Sequence, residues 1–367
     1  MADPVHEFTE PWRPPEERQK PSQDDGKWRP KLISVRDFVD GFEAPDFLIE
    51  DMAQRRFLYS LTGRTGDGKT AVLTTLSLCL AAGQEFAGRR VEQGRVAYFA
   101  GENADDVRAR TLMTAERLGV SLDDLPLYFL DKPFDIVGAR EQIKKSAEEL
   151  GGLDLVIVDT LAAFFQGEDE NANVELGNFA RDLRENLCTL PGGPSVIIAC
   201  HPTKVATKSN LVPRGGGAFL AEVDGNLRVW SDDKETTELH WCGKLRGPGF
   251  EPIPFNLSKR TSDSVKDSKG RLIPNVVAEP LAETELQSVE AKARRDEDAL
   301  LERMLNDPSG SMADWCRQLG WVGAKGEPYK SKVQRALAQL QDDRLVHKFR
   351  GRWTLTKAGK DEAKRRG

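Results

Sequence analysis

Cysteine is scarce and badly spaced for chemistry. The five in 367 residues (Cys79, Cys188, Cys200, Cys242 and Cys316) stand singly, with no Cys-x-x-Cys pair and an odd total. That argues against a disulfide framework or a thiolate zinc site and fits a reducing cytoplasm. They read instead as small core hydrophobes. Long apolar runs are missing as well. No stretch approaches the roughly 18 to 20 apolar residues of a membrane helix, so no membrane partner is expected. The N-terminus, punctuated by Pro4, Pro11, Pro14 and Pro15, lacks the apolar core of a secretion signal. No internal repeat is present. Residues 1–31 have few aliphatics among Pro, Glu, Asp, Gln and Lys, and are expected to remain a disordered tail.

What remains is ordinary globular material, 39% hydrophobic and 31% charged, long enough for two domains plus tails. Charge is unevenly spread. Residues 291–367 hold 18 Lys and Arg against 11 Asp and Glu, while the rest holds 35 against 48. An acidic body with a basic C-terminal part suggests that any nucleic-acid contact by that part is local.

Between Leu32 and Leu257, short apolar runs alternate with helical segments. Phe57–Leu61, Arg95–Ala100, Leu127–Leu130, Leu153–Val158 and Ser195–Cys200 read as strands, dense in β-branched or aromatic residues. Lys69–Ala82, Ala104–Leu118, Val137–Leu150 and Val174–Leu187 carry apolar residues at helical spacing. Apolar strands separated by helices predict an α/β domain, a mainly parallel sheet covered on both faces. Gly225–Trp230, Thr237–Lys244 and Ile253–Leu257 continue it as antiparallel strands. Residues 258–295 are largely polar and are expected to form a linker to a second unit at 296–367.

Three segments carry chemistry. Gly63-Arg64-Thr65-Gly66-Asp67-Gly68-Lys69-Thr70 fits G-x-x-x-x-G-K-T between a strand and a helix. Its glycines let backbone N–H groups curl around phosphate oxygens, Lys69 meets the β/γ-phosphates, and Thr70 can ligate Mg²⁺. ATP and Mg²⁺ are therefore the expected cofactors. Asp159 ends an apolar strand, where a carboxylate either holds Mg²⁺ through water or merely caps a turn. Glu102 ends another strand, where it either orients and deprotonates the attacking water or belongs to the cap of the next helix.

In this order, the segments resemble a RecA-fold ATPase of the plasmid RepA-type and DnaB-type hexameric helicase group, over roughly residues 32–257. The resemblance implies a RecA-like P-loop core, Glu102 as catalytic base and Asp159 as the Walker-B acid. It also implies His201, within His201-Pro202-Thr203-Lys204, as a γ-phosphate sensor. Arg214-Gly215-Gly216-Gly217-Ala218 followed by Asp224 resembles the family's channel-bordering loop. Lys244-Leu245-Arg246-Gly247-Pro248 resembles the element whose two cations reach the γ-phosphate of a neighbouring subunit. The alternative for Lys244 and Arg246 is a solvated basic hairpin end. A cation supplied in trans implies a homo-oligomer, a hexameric ring or a filament. Lys204, Lys208 and Arg214 would then line a channel and track single-stranded DNA without reading sequence, since no aromatic accompanies them. The acidic Gly167–Asn171 stretch departs from a DNA-lined channel, but the resemblance to RepA-type relatives, which also carry an acidic stretch here, implies a helix-entry segment rather than evidence against DNA. Residues 1–31 are too few for a primase or zinc-binding module, which counts against a self-contained replicative helicase.

Glu297–Leu305, Met312–Leu319 and Tyr329–Leu340 read as helices, the second capped by Ser311 and the third opened by Pro328. A hairpin turning at Gly351 follows. Helix–helix–helix–hairpin resembles a winged helix, a small α+β domain cored by Trp315, Val333, Leu337, Leu340 and Leu345. Lys330, Lys332 and Arg335 on its third helix, with Lys348, Arg350 and Arg352 on its wing, would contact double-stranded DNA through phosphates. The same domain can instead dock a protein partner. Three functions are left open: a ring-forming motor on single-stranded DNA, a non-translocating replication or recombination accessory ATPase, and a DNA-binding regulator whose assembly ATP gates.

Overall fold

The computed structural model describes residues 32–40, 42, 46–167, 173–232, 235–281, 283–323, 326–349 and 351–366. The expected tail 1–31, residues 168–172 of the acidic stretch, and Arg350 lie outside these. Before Pro45 the described residues hold one helix, α1 (Val35–Asp40), which begins where the Ser34 hydroxyl accepts the Asp37 N–H. Residues 45–367 form a second unit.

The second unit opens with a short antiparallel pair, β1 (Phe47–Ile49) and β2 (Ala53–Gln54). Then come β3 (Leu58–Thr62), α2 (Lys69–Ala82), β4 (Val96–Ala100), α3 (Ala104–Leu118), β5 (Leu127–Leu130) and α4 (Arg140–Glu149). They are followed by β6 (Leu155–Asp159), α5 (Leu161–Phe164), α6 (Asn173–Leu187), β7 (Ser195–Cys200), α7 (Gly216–Glu222), β8 (Gly225–Trp230) and β9 (Thr236–Leu245). Two further strands, β10 (Ile253–Arg260) and β11 (Asn275–Pro280), complete a nine-stranded sheet among the described residues, ordered β11-β10-β9-β8-β3-β7-β6-β4-β5. From β8 to β5 neighbours run parallel; from β8 to β11 they run antiparallel.

The α/β expectation therefore holds, and the burial pattern shows why. In β3, β4, β6 and β7 every residue is buried, because successive side chains enter opposite cores. Tyr59, Leu61, Val96, Tyr98, Leu155 and Ile157 pack under α2 and α3. Leu58, Phe99, Val156, Val158, Val196 and Ile198 pack against α4 to α7.

The linker expectation needs correction. Residues 258–295 carry the end of β10, all of β11 and the start of α8 (Glu283–Asn306). Their polar residues are those that a half-exposed antiparallel ribbon turns outward. Val277 and Ala278 are buried, and the Thr75 hydroxyl on α2 donates to Ala278 O at 2.8 Å.

Beyond the sheet come α8, α9 (Met312–Gln318), α10 (Lys330–Asp342), the hairpin β12 (Val346–Phe349)–β13 (Arg352–Leu355), and α11 (Lys357–Arg366). Ser311 and Asp314 form the reciprocal cap of α9. Helix α10 starts two residues after Pro328, with Tyr329 as its cap residue. Trp315, Val333, Leu337 and Leu340 are buried together with Leu300 and Met304, and Leu345 packs at their edge. All five cysteines are free and buried. Among the described residues no helix is long and apolar enough to cross a membrane.

Candidate active site

The phosphate loop leaves the C-terminal end of the central strand β3. Its backbone admits no side chain at two positions. A Cβ on Gly63 would lie 2.5 Å from Val229, and Gly68 combines φ +94° with Leu257 at 2.9 Å from an added Cβ. Neighbours brace the loop. The Gly63 N–H donates to Cys200 O (3.2 Å), and the Thr237 hydroxyl donates to Asp67 O (2.7 Å). Arg64 pairs with the buried Asp67 (2.9 Å), donates to Ser231 O, and lies 3.7 Å over the Trp230 ring. Arg64 and Asp67 thus fix the loop through side chains, while Thr65 and Gly66 stay exposed at its tip.

A cavity of about 800 Å³ opens over this loop. Thr65, Gly66, Gly68, Lys69, Thr70, Glu102, Asp159 and His201 all line it, each from or just after the C-terminal end of β3, β4, β6 or β7. Ligands of open α/β sheets collect at that end. The Lys69 ammonium is buried and donates to Gly63 O (2.7 Å) and Arg64 O (3.2 Å). Burial holds its pKa below the usual lysine value, against the pull of Asp159 and Asp67.

Asp159 is 4% exposed. Its Oδ2 accepts the Tyr98 hydroxyl at 2.7 Å, and its Oδ1 is buried with no hydrogen-bond partner. Burial raises its carboxyl pKa; Tyr98, Thr70 and Lys69 pull it down, and the Glu102 charge raises it. An orphaned carboxylate oxygen beside a threonine hydroxyl, in a cavity over a phosphate loop, is a donor set that fits Mg²⁺. Glu102 is exposed to the cavity, and its neighbour Asn103 caps α3 by accepting the Asp106 N–H at 3.1 Å. The two readings of this strand end thus fall on adjacent residues.

The cavity has walls that sequence reasoning missed. Asp106 and Arg110 on α3, Glu235 just before β9, and Leu257, Lys259 and Val276 on β10 and β11 also line it. Arg110 pairs with Asp106 (2.7 Å) and donates to Val276 O, and Asn275 donates to Asp106 (2.9 Å). The Asp106/Arg110 spacing of four residues was a readable signal. The alternating Ile253, Phe255 and Leu257 was another, hidden by the polar run that follows.

The remaining candidates are not among the lining residues. Lys244 donates to Leu220 O and Ala221 O, the last carbonyls of α7, and Arg246 pairs with Asp224 at 2.6 Å. Lys204 is exposed, whereas Lys208 pairs with Glu238 (3.2 Å) and Arg214 donates to Pro202 O (3.2 Å). In the C-terminal helices Lys330 is exposed, Lys332 pairs with Asp296 (2.9 Å) and lies 4.3 Å over Trp321, and Arg335 is half-buried. Lys348 and Arg352 are exposed on the hairpin. Lys332 is thus held by neighbouring residues, and Lys348 lies 5.7 Å over the Trp353 ring.

Residues 27–207 match a family model described as an AAA domain, spanning the phosphate loop, Glu102, Asp159 and His201. The match supports a P-loop, RecA-like ATPase core in that segment. No curated protein matches the chain.

Proposed function

We propose that the chain is an ATP-hydrolysing motor of the RepA/DnaB type. In this reading it assembles as a ring, acts on single-stranded DNA, and uses its C-terminal domain as a winged helix that recruits DNA or a partner. One observation carries the assembly: of the cations lining the cavity, Lys69 is turned to the loop carbonyls, Arg110 is tied to Asp106 and Val276 O, and Lys259 is a lysine on β10, while Arg246 is not among the lining residues. Asp224 hydrogen-bonds Leu58 at the start of β3, whereas the loop leaves after Thr62. Four residue steps of a strand put about 13 Å between the two levels. That separation supports the reading in which Arg246 serves a neighbour's site rather than its own.

Within the site, loop N–H groups and Lys69 bind the phosphates. Thr70 and Asp159 would hold Mg²⁺, which would supply charge neutralisation to the phosphates. Glu102 takes a proton from the attacking water, and His201 contacts the γ-phosphate end. Lys204 tracks the DNA backbone, with Lys208 and Arg214 recruited only if they leave Glu238 and Pro202. Those two contacts favour a second reading, an accessory ATPase that loads partners without translocating. ATPase rates with and without single-stranded DNA, measured alongside native mass, separate the two. Stimulation together with a hexameric mass supports the motor. An unstimulated monomer or dimer refutes it.

A further inference from the structure

We infer that Asp224 is the positioning residue that aims Arg246, and that Lys244 anchors the fold behind it instead of reaching a neighbouring phosphate. The inference rests on the trans reading above and divides the labour of its two cations.

Asp224 is 1% exposed, and every hydrogen bond it makes points to one task. Its N–H donates to Leu58 O (2.7 Å), and its carboxylate accepts Leu58 N–H (2.9 Å), so it is pinned to the foot of β3. The same carboxylate accepts Arg184 of α6 at 2.8 Å and Arg246 at 2.6 Å, on different oxygens. Its carbonyl accepts the Arg246 N–H at 2.8 Å. Arg246 is therefore held at both its backbone and one guanidinium nitrogen by a rigid buried anchor.

The rest of Arg246 points away. Its side chain is 62% exposed, and its Nε and Nη2 have no partner among the described residues. A planar guanidinium with one edge fixed and another free is preorganised to meet an anion on a facing surface. Lys244 has the opposite geometry. Its ammonium turns back to Leu220 O and Ala221 O, where a cation satisfies the open carbonyls and negative end of a helix. Arg184 donates to Glu222 O in the same place, so Lys244 and Arg184 together fasten α7 to the sheet behind Arg246.

The test mixes full-length subunits. Arg246→Ala subunits keep an intact nucleotide site and lack the cation. Lys69→Ala subunits lack hydrolysis and keep the cation, so mixing them restores turnover at the shared interfaces. The donor is then given a second change. Asp224→Asn in the donor is expected to cut the restored rate about tenfold or more, since a charged hydrogen bond is lost, with KM for ATP unchanged because the working site belongs to the other subunit. Lys244→Met in the donor is expected to cut it less. Native mass and melting temperature of each donor separate aiming from collapse. If Asp224→Asn assembles poorly, Asp224→Glu keeps the charge, shifts the carboxylate by one methylene, and is expected to give an intermediate rate. Full rescue by the Asp224→Asn donor overturns the positioning role, and equal loss with Lys244→Met overturns the division of labour. Normal turnover of Arg246→Ala alone, or no rescue by the simple Lys69→Ala donor, sinks the trans reading itself.

Discussion

Replacing Tyr98 by Phe should change how the protein uses Mg²⁺ without changing its shape. The Tyr98 ring is fully buried and sits 5.6 Å from Phe129, so Phe preserves the packing. What disappears is the 2.7 Å hydrogen bond to Asp159, whose other oxygen already has no partner. A hydrogen bond to a charged group contributes about 1.5–3 kcal/mol. Asp159 starts with a pKa already raised by burial. Losing Tyr98 raises it further, so at a given pH less of the carboxylate is ionised. Only the ionised form holds the cation. The acidic limb of the rate profile should therefore move toward neutral pH. The Mg²⁺ needed for half-maximal turnover should rise about 10- to 100-fold. Steady-state ATPase assays over a pH and Mg²⁺ grid measure both, and at high pH with saturating Mg²⁺ the variant should approach the parent rate. An unchanged Mg²⁺ requirement with an unmoved acidic limb would refute the role given to Asp159.

Lys69→Ala should abolish hydrolysis and weaken binding of a fluorescent ATP analogue; normal turnover would remove the phosphate loop from the mechanism. Glu102→Gln should bind the analogue normally yet turn over about 10²–10⁴ times more slowly, and a slow variant with weakened binding would argue for a capping role. Trp315→Ala removes a side chain that is 1% exposed and donates to Asp307 O at 3.1 Å. Its expected cost is about 3–5 kcal/mol, seen as an earlier melting step with basal ATPase retained. Loss of both together would mean that the C-terminal helices support the catalytic core.

The parallel core and the floor of the site were legible because they depend on local rules. Apolar strands of five or six residues, helical spacing between them, and a glycine pattern that no other backbone satisfies all register within short windows. Glu102, Asp159 and His201 line one cavity because strand ends in such a sheet share one rim. What escaped were features set by pairing across long separations. Asp106 looks like one of many acids on an exposed helix until Asn275 arrives beside it. Lys244 and Arg246 look equivalent in sequence, two residues apart at the end of one strand. Yet α7 lies next to one and Asp224 next to the other. Lys332 gives no sign in sequence that Asp296 and Trp321 will hold it.

The boundary after Leu257 is where local composition misled most, and it gives a direct test. Hydrophilic residues dominate 258–274, but the strands on either side bury Leu257, Val277 and Ala278 against α2 and α3. A fragment of residues 32–257 would lose β11, leave β10 without its outer neighbour, and expose that face. The loss includes burial of Val277, about 1.5–3 kcal/mol, plus the Thr75 hydrogen bond and the Glu279 ion pairs with Arg117 and Arg260. Together these approach the roughly 5–15 kcal/mol that holds a typical domain folded. They also remove Lys259 and Val276 from the nucleotide cavity. A fragment of residues 32–281 keeps all of them. It should melt cooperatively and bind nucleotide, while the shorter one aggregates or melts far earlier. Matching melting curves and nucleotide affinities for the two fragments would mean that the ribbon is an appendage, not a wall of the site.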